Sequence, residues 1–233
     1  MNVITNNSAF GIGTYTVPEA ARLLGIPPVN VRRWIGGYHF KRRDKARQMP
    51  PLWRLQYPKF ENHIELGFLD LIELKFVREF LKSGLTINVI RFCLEEARKV
   101  INDDHPFSTR RFETDGCTIF IEGIRESGEI QLLDLKKRQY TFKSVIQQSF
   151  KDLDIEVDTV TSWRPFNGKK SIVIDPNRSF GQPIVAEFGI PTVVLAQAVE
   201  VEGSLAAAAR LYEVPVRVIK DATAFENKLL LAA

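Results

Sequence analysis

Asn30 and Arg33, in the segment Val29–Ile35, are candidates for contact with DNA base edges, since an amide can pair bidentately with adenine and a guanidinium with guanine. Arg32 and Arg22 beside them are suited to holding phosphate. The stretch that follows adds Lys41, Arg42, Arg43, Lys45, Arg47 and Arg54, interleaved with Tyr38, Phe40, Trp53 and Tyr57. A run of like charge can be no more than a solvated loop. Its place directly after a candidate recognition helix, with aromatics to anchor it, favours a ribbon that tracks phosphates, with Tyr38 among the contacts. The first sixty positions hold ten Lys and Arg against Glu19 and Asp44, a balance of +8, whereas the other 173 hold 22 cations and 26 carboxylates. One end of the chain is therefore built to meet polyanion.

Bond-making chemistry has little support. His39, His63 and His105 are scattered, Cys93 and Cys117 lack the spacing of a metal site, and no Gly-rich loop precedes a Lys-Ser/Thr pair. Asp103-Asp104-His105 reads as a polar loop closing a helix, and Gly181-Gln-Pro183 as a turn. We expect no enzyme activity, no metal and no cofactor. The composition, 45% hydrophobic and 26% charged over 233 residues, is that of a folded chain. No apolar run approaches the roughly 20 residues that span a bilayer, so a cytoplasmic protein with two reduced thiols and no membrane partner is expected.

The elements that would position the basic residues are legible. Thr16-Val-Pro-Glu19 has the form of an N-cap, a proline in the first turn and an acid at the third helical position, predicting a helix to Leu24 that Gly25 ends. Pro27-Pro28 opens a second helix over Val29–Ile35, with Ala20, Ala21, Leu24, Ile26, Val31 and Trp34 between the two. From Gly36 to Lys59 a β-ribbon or loop is expected. Two amphipathic helices follow between Glu65 and Ile101, broken at Ser83-Gly84, with Thr86 as the second N-cap. Arg111–Gly123 and Ile130–Phe142 read as strands around a Ser127-Gly128 turn, followed by a helix over Phe142–Phe150. Short strands at Lys170–Ile174 and Pro183–Glu187 precede two or three helices in 191–230. The fold class is α+β, mostly helical.

Two resemblances attach to these segments. Tyr15-Thr-Val-Pro-Glu-Ala-Ala-Arg-Leu-Leu-Gly-Ile-Pro-Pro-Val-Asn-Val-Arg-Arg-Trp34, the basic ribbon, and Leu69–Ala97 with its Phe80-Leu-Lys-Ser-Gly-Leu-Thr86 link resemble the winged helix of MerR-type regulators over residues 14–101. Arg32 stands where that family carries the arginine of its Leu-Arg-Tyr-Tyr segment, which implies a phosphate contact. Arg33 and Trp34 stand in place of the paired tyrosines, and the long dimerising coiled-coil helix of typical members is missing. Ile172-Val-Ile-Asp-Pro176, Phe180-Gly-Gln-Pro183, Gly189-Ile-Pro-Thr192 and Tyr212-Glu-Val-Pro215 to Phe225-Glu226 resemble the small helix-turn-helix-like domain of VapB-type antitoxins encoded beside PIN-domain ribonuclease toxins.

The organisation expected is an N-terminal tail (1–13), a MerR-like winged helix-turn-helix domain (14–104), a β-rich middle region (105–165) and a C-terminal helix-turn-helix-like domain (166–233). The resemblance implies a homodimeric antitoxin that binds double-stranded DNA, represses its own operon and neutralises a cognate PIN-type ribonuclease. The tail is acidic around Arg217 and Lys220, with Glu200, Glu202, Glu213, Asp221 and Glu226, which suits dimerisation or partner binding better than DNA. Arg178, Arg217 and Lys228 are equal candidates for a cation that reaches a toxin's carboxylates. The alternative is a stand-alone MerR-like transcription regulator whose middle and C-terminal regions bind a ligand or dimerise.

Overall fold

In the computed structural model, which describes residues 11–42, 45–58, 63–126 and 135–231, Thr16 opens the first helix as expected. Its hydroxyl accepts from Glu19 N while the Glu19 carboxylate accepts from Thr16 N at 2.8 Å, so two free amides of the first turn are satisfied reciprocally. Helix α1 (Val17–Leu24) ends on Gly25 in the left-handed conformation, and α2 (Pro28–Gly36) follows. Between them Ala20, Ala21, Leu24, Ile26 and Val31 are buried, Ile35 joins them, and Trp34 packs at the edge. Strands β2 (Tyr38–Arg42) and β3 (Lys45–Met49) form the antiparallel ribbon, with Phe40 opposite Arg47. A two-residue pairing of β1 (Tyr15–Thr16) with β4 (Glu65–Leu66) leads into α3 (Phe68–Lys82) and α4 (Ile87–Ile101), the latter capped by Thr86.

The β-rich middle expected between 105 and 165 is corrected. Arg111–Gly123 lies within helix α5 (Arg110–Glu126), and the described part of Ile130–Phe142 lies within α6 (Leu135–Phe150). Among the described residues there, one hairpin pairs β5 (Leu153–Glu156) with β6 (Thr159–Trp163). The Ser127-Gly128 turn lies outside the described residues. Burial overrides β-propensity here: Phe112, Ile119, Phe120 and Ile124 fall on one helical stripe, as do Phe142, Ile146 and Phe150. Those stripes meet α3 in a cluster of phenylalanines. Phe76 lies 4.9 Å from Phe150 and Phe80 lies 4.3 Å from Phe120, ring centre to ring centre, with Phe107 and Phe112 between them.

The C-terminal segment pairs β7 (Ile172–Val173) with β8 (Ile184–Val185) and then packs α7 (Thr192–Glu202), α8 (Leu205–Leu211) and α9 (Val216–Leu231) around a second core that includes Leu195, Ala208, Ala209, Ile219 and Ala222. It is tied to the first core. Phe225 and Leu229 of α9 belong to the main cluster, and the stretch before β1 bonds both ways, with Thr14 N donating to Phe180 O and Phe68 N to Ile12 O. Tyr15 donates its buried hydroxyl to Gly181 O at 2.7 Å. Gly181 has φ +80°, and a Cβ there would fall 2.3 Å from the Tyr15 oxygen, so only glycine fits. The described residues form a mostly helical α+β fold with small separate strand pairs. No single helix among the described residues is long and apolar enough to cross a membrane.

Four donors converge on the buried carboxylate of Asp70 in the first turn of α3. Trp53 Nε1 donates to Oδ1 at 2.8 Å, Gln56 N and Gly67 N to Oδ2 at 3.1 and 2.9 Å, and His105 Nε2 lies 2.9 Å from Oδ1. One turn further along, Glu73 accepts from Ser108 N and Oγ, both at 3.1 Å. Asp103-Asp104-His105 is thus more than a polar loop: Asp103 caps the amide of His105, and the imidazole is buried against α3. Replacing Asp70 by alanine leaves these donors without their acceptor and should cost roughly 3 kcal/mol or more. Asp103→Ala, which loses one exposed cap, should cost less than about 1 kcal/mol. Urea unfolding of both variants checks the ranking, and equal losses would remove Asp70 from its central place.

Burial pushes the Glu73 carboxyl well above the usual carboxylate range, against the pull of Ser108 and Arg98. The folded chain therefore retains a proton that the unfolded chain releases, so the stability from this group is full below about pH 4 and declines as pH rises toward the raised value. Glu73→Gln removes that titration. The Tm of the wild type should fall relative to the variant from about pH 4 upward, and parallel curves of Tm against pH would show that Glu73 is not protonated in the fold.

Candidate nucleic-acid interface

Helix α2 is held at both ends by backbone. At its start, Ile26 N donates to Ala21 O across the turn, and Pro27-Pro28 set the entry. At its end, Gly37 at φ +72° turns the chain directly into β2, where a Cβ would fall 2.6 Å from Met49 O of the neighbouring strand. The far end of the ribbon is fixed as firmly. Leu52 N donates to Trp34 O at 2.7 Å, Arg91 Nη1 donates to Pro51 O at 2.9 Å, and Trp53 and Gln56 are anchored on Asp70. Helix and ribbon are therefore one mount with a buried acidic pin behind it.

On that mount the expected contact residues divide. Arg32 and Arg33 are exposed on α2 and Asn30 is partly exposed. Arg33 stands over the Tyr38 ring at 5.8 Å, and Tyr38 in turn packs against Phe40, so the helix and the ribbon share one aromatic contact. Lys41 and Arg47 are exposed on the two strands, and Arg54 is exposed just beyond them. The side chains of Arg32, Lys41, Arg47 and Arg54 make no hydrogen bond or ion pair with a described residue. Arg43 and the side chains of Arg42 and Lys45 lie outside the described ones. Arg22 is placed differently: it is half-buried and lines a separate cleft with Arg78, Lys82, Lys151 and Lys228.

Two recesses border the mount. A shallow one of about 490 Å³ lies between Thr16, Pro18, Arg32 and Gly37, where the N-terminus of α1 meets the end of α2. A groove of about 770 Å³ behind the ribbon is lined by Trp53, Arg54, Tyr57, Arg98, Asp104 and His105. Burial lowers the Arg98 guanidinium somewhat, and it donates to Asp104 O at 3.3 Å. Sequence reasoning missed His105 and Arg98 as parts of this wall, because their partners are 35 and 6 positions away and no local spacing signals them. No cluster of three or more His, Cys, Asp or Glu among the described residues could hold a metal ion. Burial pushes the Cys93 thiol up to about 12, which keeps it protonated, and it donates to Phe120 O.

The three cations considered for reaching a partner also differ. Arg178 is turned inward, donating to Ala186 O at 2.9 Å, while Arg217 is exposed and paired with Glu187 at 3.0 Å. Lys228 donates to Asn167 Oδ1 at 3.0 Å. Glu226 is buried and accepts from Thr192 Oγ1, so it ties α9 to α7 rather than charging the surface.

No family model matches the chain. Over 193 residues it is 26% identical to a protein of Mycobacterium tuberculosis (strain ATCC 25618 / H37Rv) named "Putative antitoxin VapB45", a match that spans 78% of this chain and 80% of that one. The crystal structure of Rv2018 from Mycobacterium tuberculosis superposes on it with a TM-score of 0.69 at 20% identity, covering 91% of this chain and 98% of that one. The fold, cores and tail together, is thus shared with a solved protein, and the sequence is similar to one named an antitoxin.

Proposed function

We propose that this protein is a DNA-binding antitoxin of a toxin-antitoxin system, which neutralises a PIN-type ribonuclease and represses its own operon. The observation that carries the DNA half is the set of exposed cations on α2 and the ribbon that the fold leaves without partners, on a mount fixed from behind by Asp70. The likeness to the protein named "Putative antitoxin VapB45" over four fifths of that chain supports the antitoxin half. Asn30 and Arg33 read bases, and Arg32, Tyr38, Lys41, Arg42, Arg43, Lys45, Arg47 and Arg54 hold the backbone. Six or so phosphate contacts would make affinity fall by orders of magnitude between low and moderate salt. The C-terminal helices pair protomers and hold the toxin, whose carboxylates would attract a cation from this chain. The site of action is the cytoplasm.

Arg33→Ala should relax preference at one base position at a cost of roughly 1–3 kcal/mol, whereas Arg42→Ala or Arg43→Ala should weaken all sequences alike and reduce the salt slope by about one. Binding titrations over a salt series with the operator and a scrambled duplex separate the two classes. Identical behaviour would overturn the assignment of α2 to base contact. The partner is tested by purifying the tagged chain from its native host and identifying by mass spectrometry what survives a high-salt wash. A small nuclease encoded next to it is the expected result. Recovery of the homo-oligomer alone, with specific DNA binding intact, would favour the stand-alone regulator.

A further inference from the structure

Arg22 of α1, Arg78 and Lys82 of α3, Lys151 after α6, and Lys228 of α9 line one cleft of about 550 Å³ between the DNA-reading end and the C-terminal helices. Five cations around one recess repel one another, and Asp152 is the carboxylate that lines the recess with them. The nearby carboxylates are already committed. Asp152 is ion-paired with Lys75 Nζ at 2.8 Å and accepts from Trp163 Nε1 at 2.8 Å, and Glu79 is shared by Arg78 and, at 3.4 Å, Lys82. The side chains of Arg22 and Lys151 make no hydrogen bond or ion pair with a described residue, and Lys228 has only the neutral amide of Asn167.

The recess has the volume of a small-molecule site, which is roughly 300–1,000 Å³. Its walls include Leu23, Phe225 and Leu229, apolar groups that exclude water and strengthen the field of the cations. The Arg78 guanidinium is engaged by Glu79 and by Leu24 O, so the groups left to meet a ligand are the Arg22 guanidinium and the ammonium groups of Lys151 and Lys228, which match an anion with oxygens on more than one side, and a duplex cannot enter so small a recess.

We propose that this cleft binds a small, multiply charged oxyanion, either a polyphosphate or a polycarboxylate. Such a ligand would bridge α1 to α9 and so tie the DNA-reading end to the C-terminal helices. The proposal does not depend on the toxin or on DNA binding. Its test is isothermal titration of the full chain with inorganic tripolyphosphate and, separately, with citrate, each at an ionic strength matched with sodium chloride. Saturable binding of at least one anion is expected, and which one binds identifies the phosphate or the carboxylate source. Lys151→Ala and Lys228→Ala, both at exposed positions, should each weaken it roughly tenfold, while Arg33→Ala should leave it unchanged. Heats no larger than the salt control for both anions would overturn the proposal. So would binding that survives both lysine variants, or binding that is lost with Arg33→Ala, which would place the anion on the DNA-reading face instead.

Discussion

The carboxylate of Asp70 is the constraint on which the arrangement of the basic end depends. Its donors come from Trp53 and Gln56 after the ribbon, from Gly67 at the start of α3, and from His105 before α5. Three stretches far apart in the chain therefore meet at one buried group. A carboxylate without water needs several donors, and here the requirement is met only if the ribbon's exit, the start of α3 and the turn at 106–108 are all in place. Among the described residues the ribbon is a two-stranded sheet with no third strand beside it, so on its own it would be marginal. Pinning its exit to the first turn of a fully packed helix gives Lys41 and Arg47 a defined position without burying either.

Charge in this protein consequently does two jobs that a count over the sequence merges. The +8 balance of the first sixty residues is largely a surface quantity, because Arg32, Arg33, Lys41, Arg47 and Arg54 are all exposed. The −4 balance of the remainder is not its mirror image. Asp70 and Glu73 are fully buried, Glu226 nearly so, and Asp152 serves the buried ammonium of Lys75, whose own proton affinity is lowered by burial and restored in part by that carboxylate. These acids organise the interior. Removing them from the surface tally leaves the chain after residue 60 less acidic to an approaching molecule than its composition implies, and makes a basic cleft around Lys151 and Lys228 possible there.

How much of this was legible in the sequence follows from the range of the interactions. The capping box at Thr16, the two helices before residue 37, the ribbon, the break at Ser83-Gly84 and the Thr86 cap were all readable, because each is settled by residues within a few positions of one another. Residues 111–123 and 135–142 were misread. Cys117-Thr-Ile-Phe-Ile121 is rich in β-branched and aromatic side chains, and nothing local reveals that Phe112, Phe120 and Phe142 close a phenylalanine cluster around α3. Asp70, Glu73 and His105 were invisible for the same reason, their partners being contributed across 35 positions. Arg22 was read as a phosphate contact beside the second helix, but nothing local shows that α3 and α9 come to lie beside it.

The likeness to a solved structure at 20% identity and a TM-score of 0.69 bears on function only through this distinction. What the two chains must share for such a superposition is packing, and packing is decided by buried positions. The exposed cations on α2 and the ribbon contribute nothing to it, since the fold would close as well with neutral side chains there. Their presence therefore cannot be explained by the architecture, and fold likeness alone could not have supplied them. A chain that keeps exposed arginines at consecutive positions of one short helix, beside a ribbon of further cations, holds like charges close together at an electrostatic cost that a bound polyanion would relieve. The case for a polyanionic partner rests on that cost, and it would stand unchanged if no relative of the protein were known.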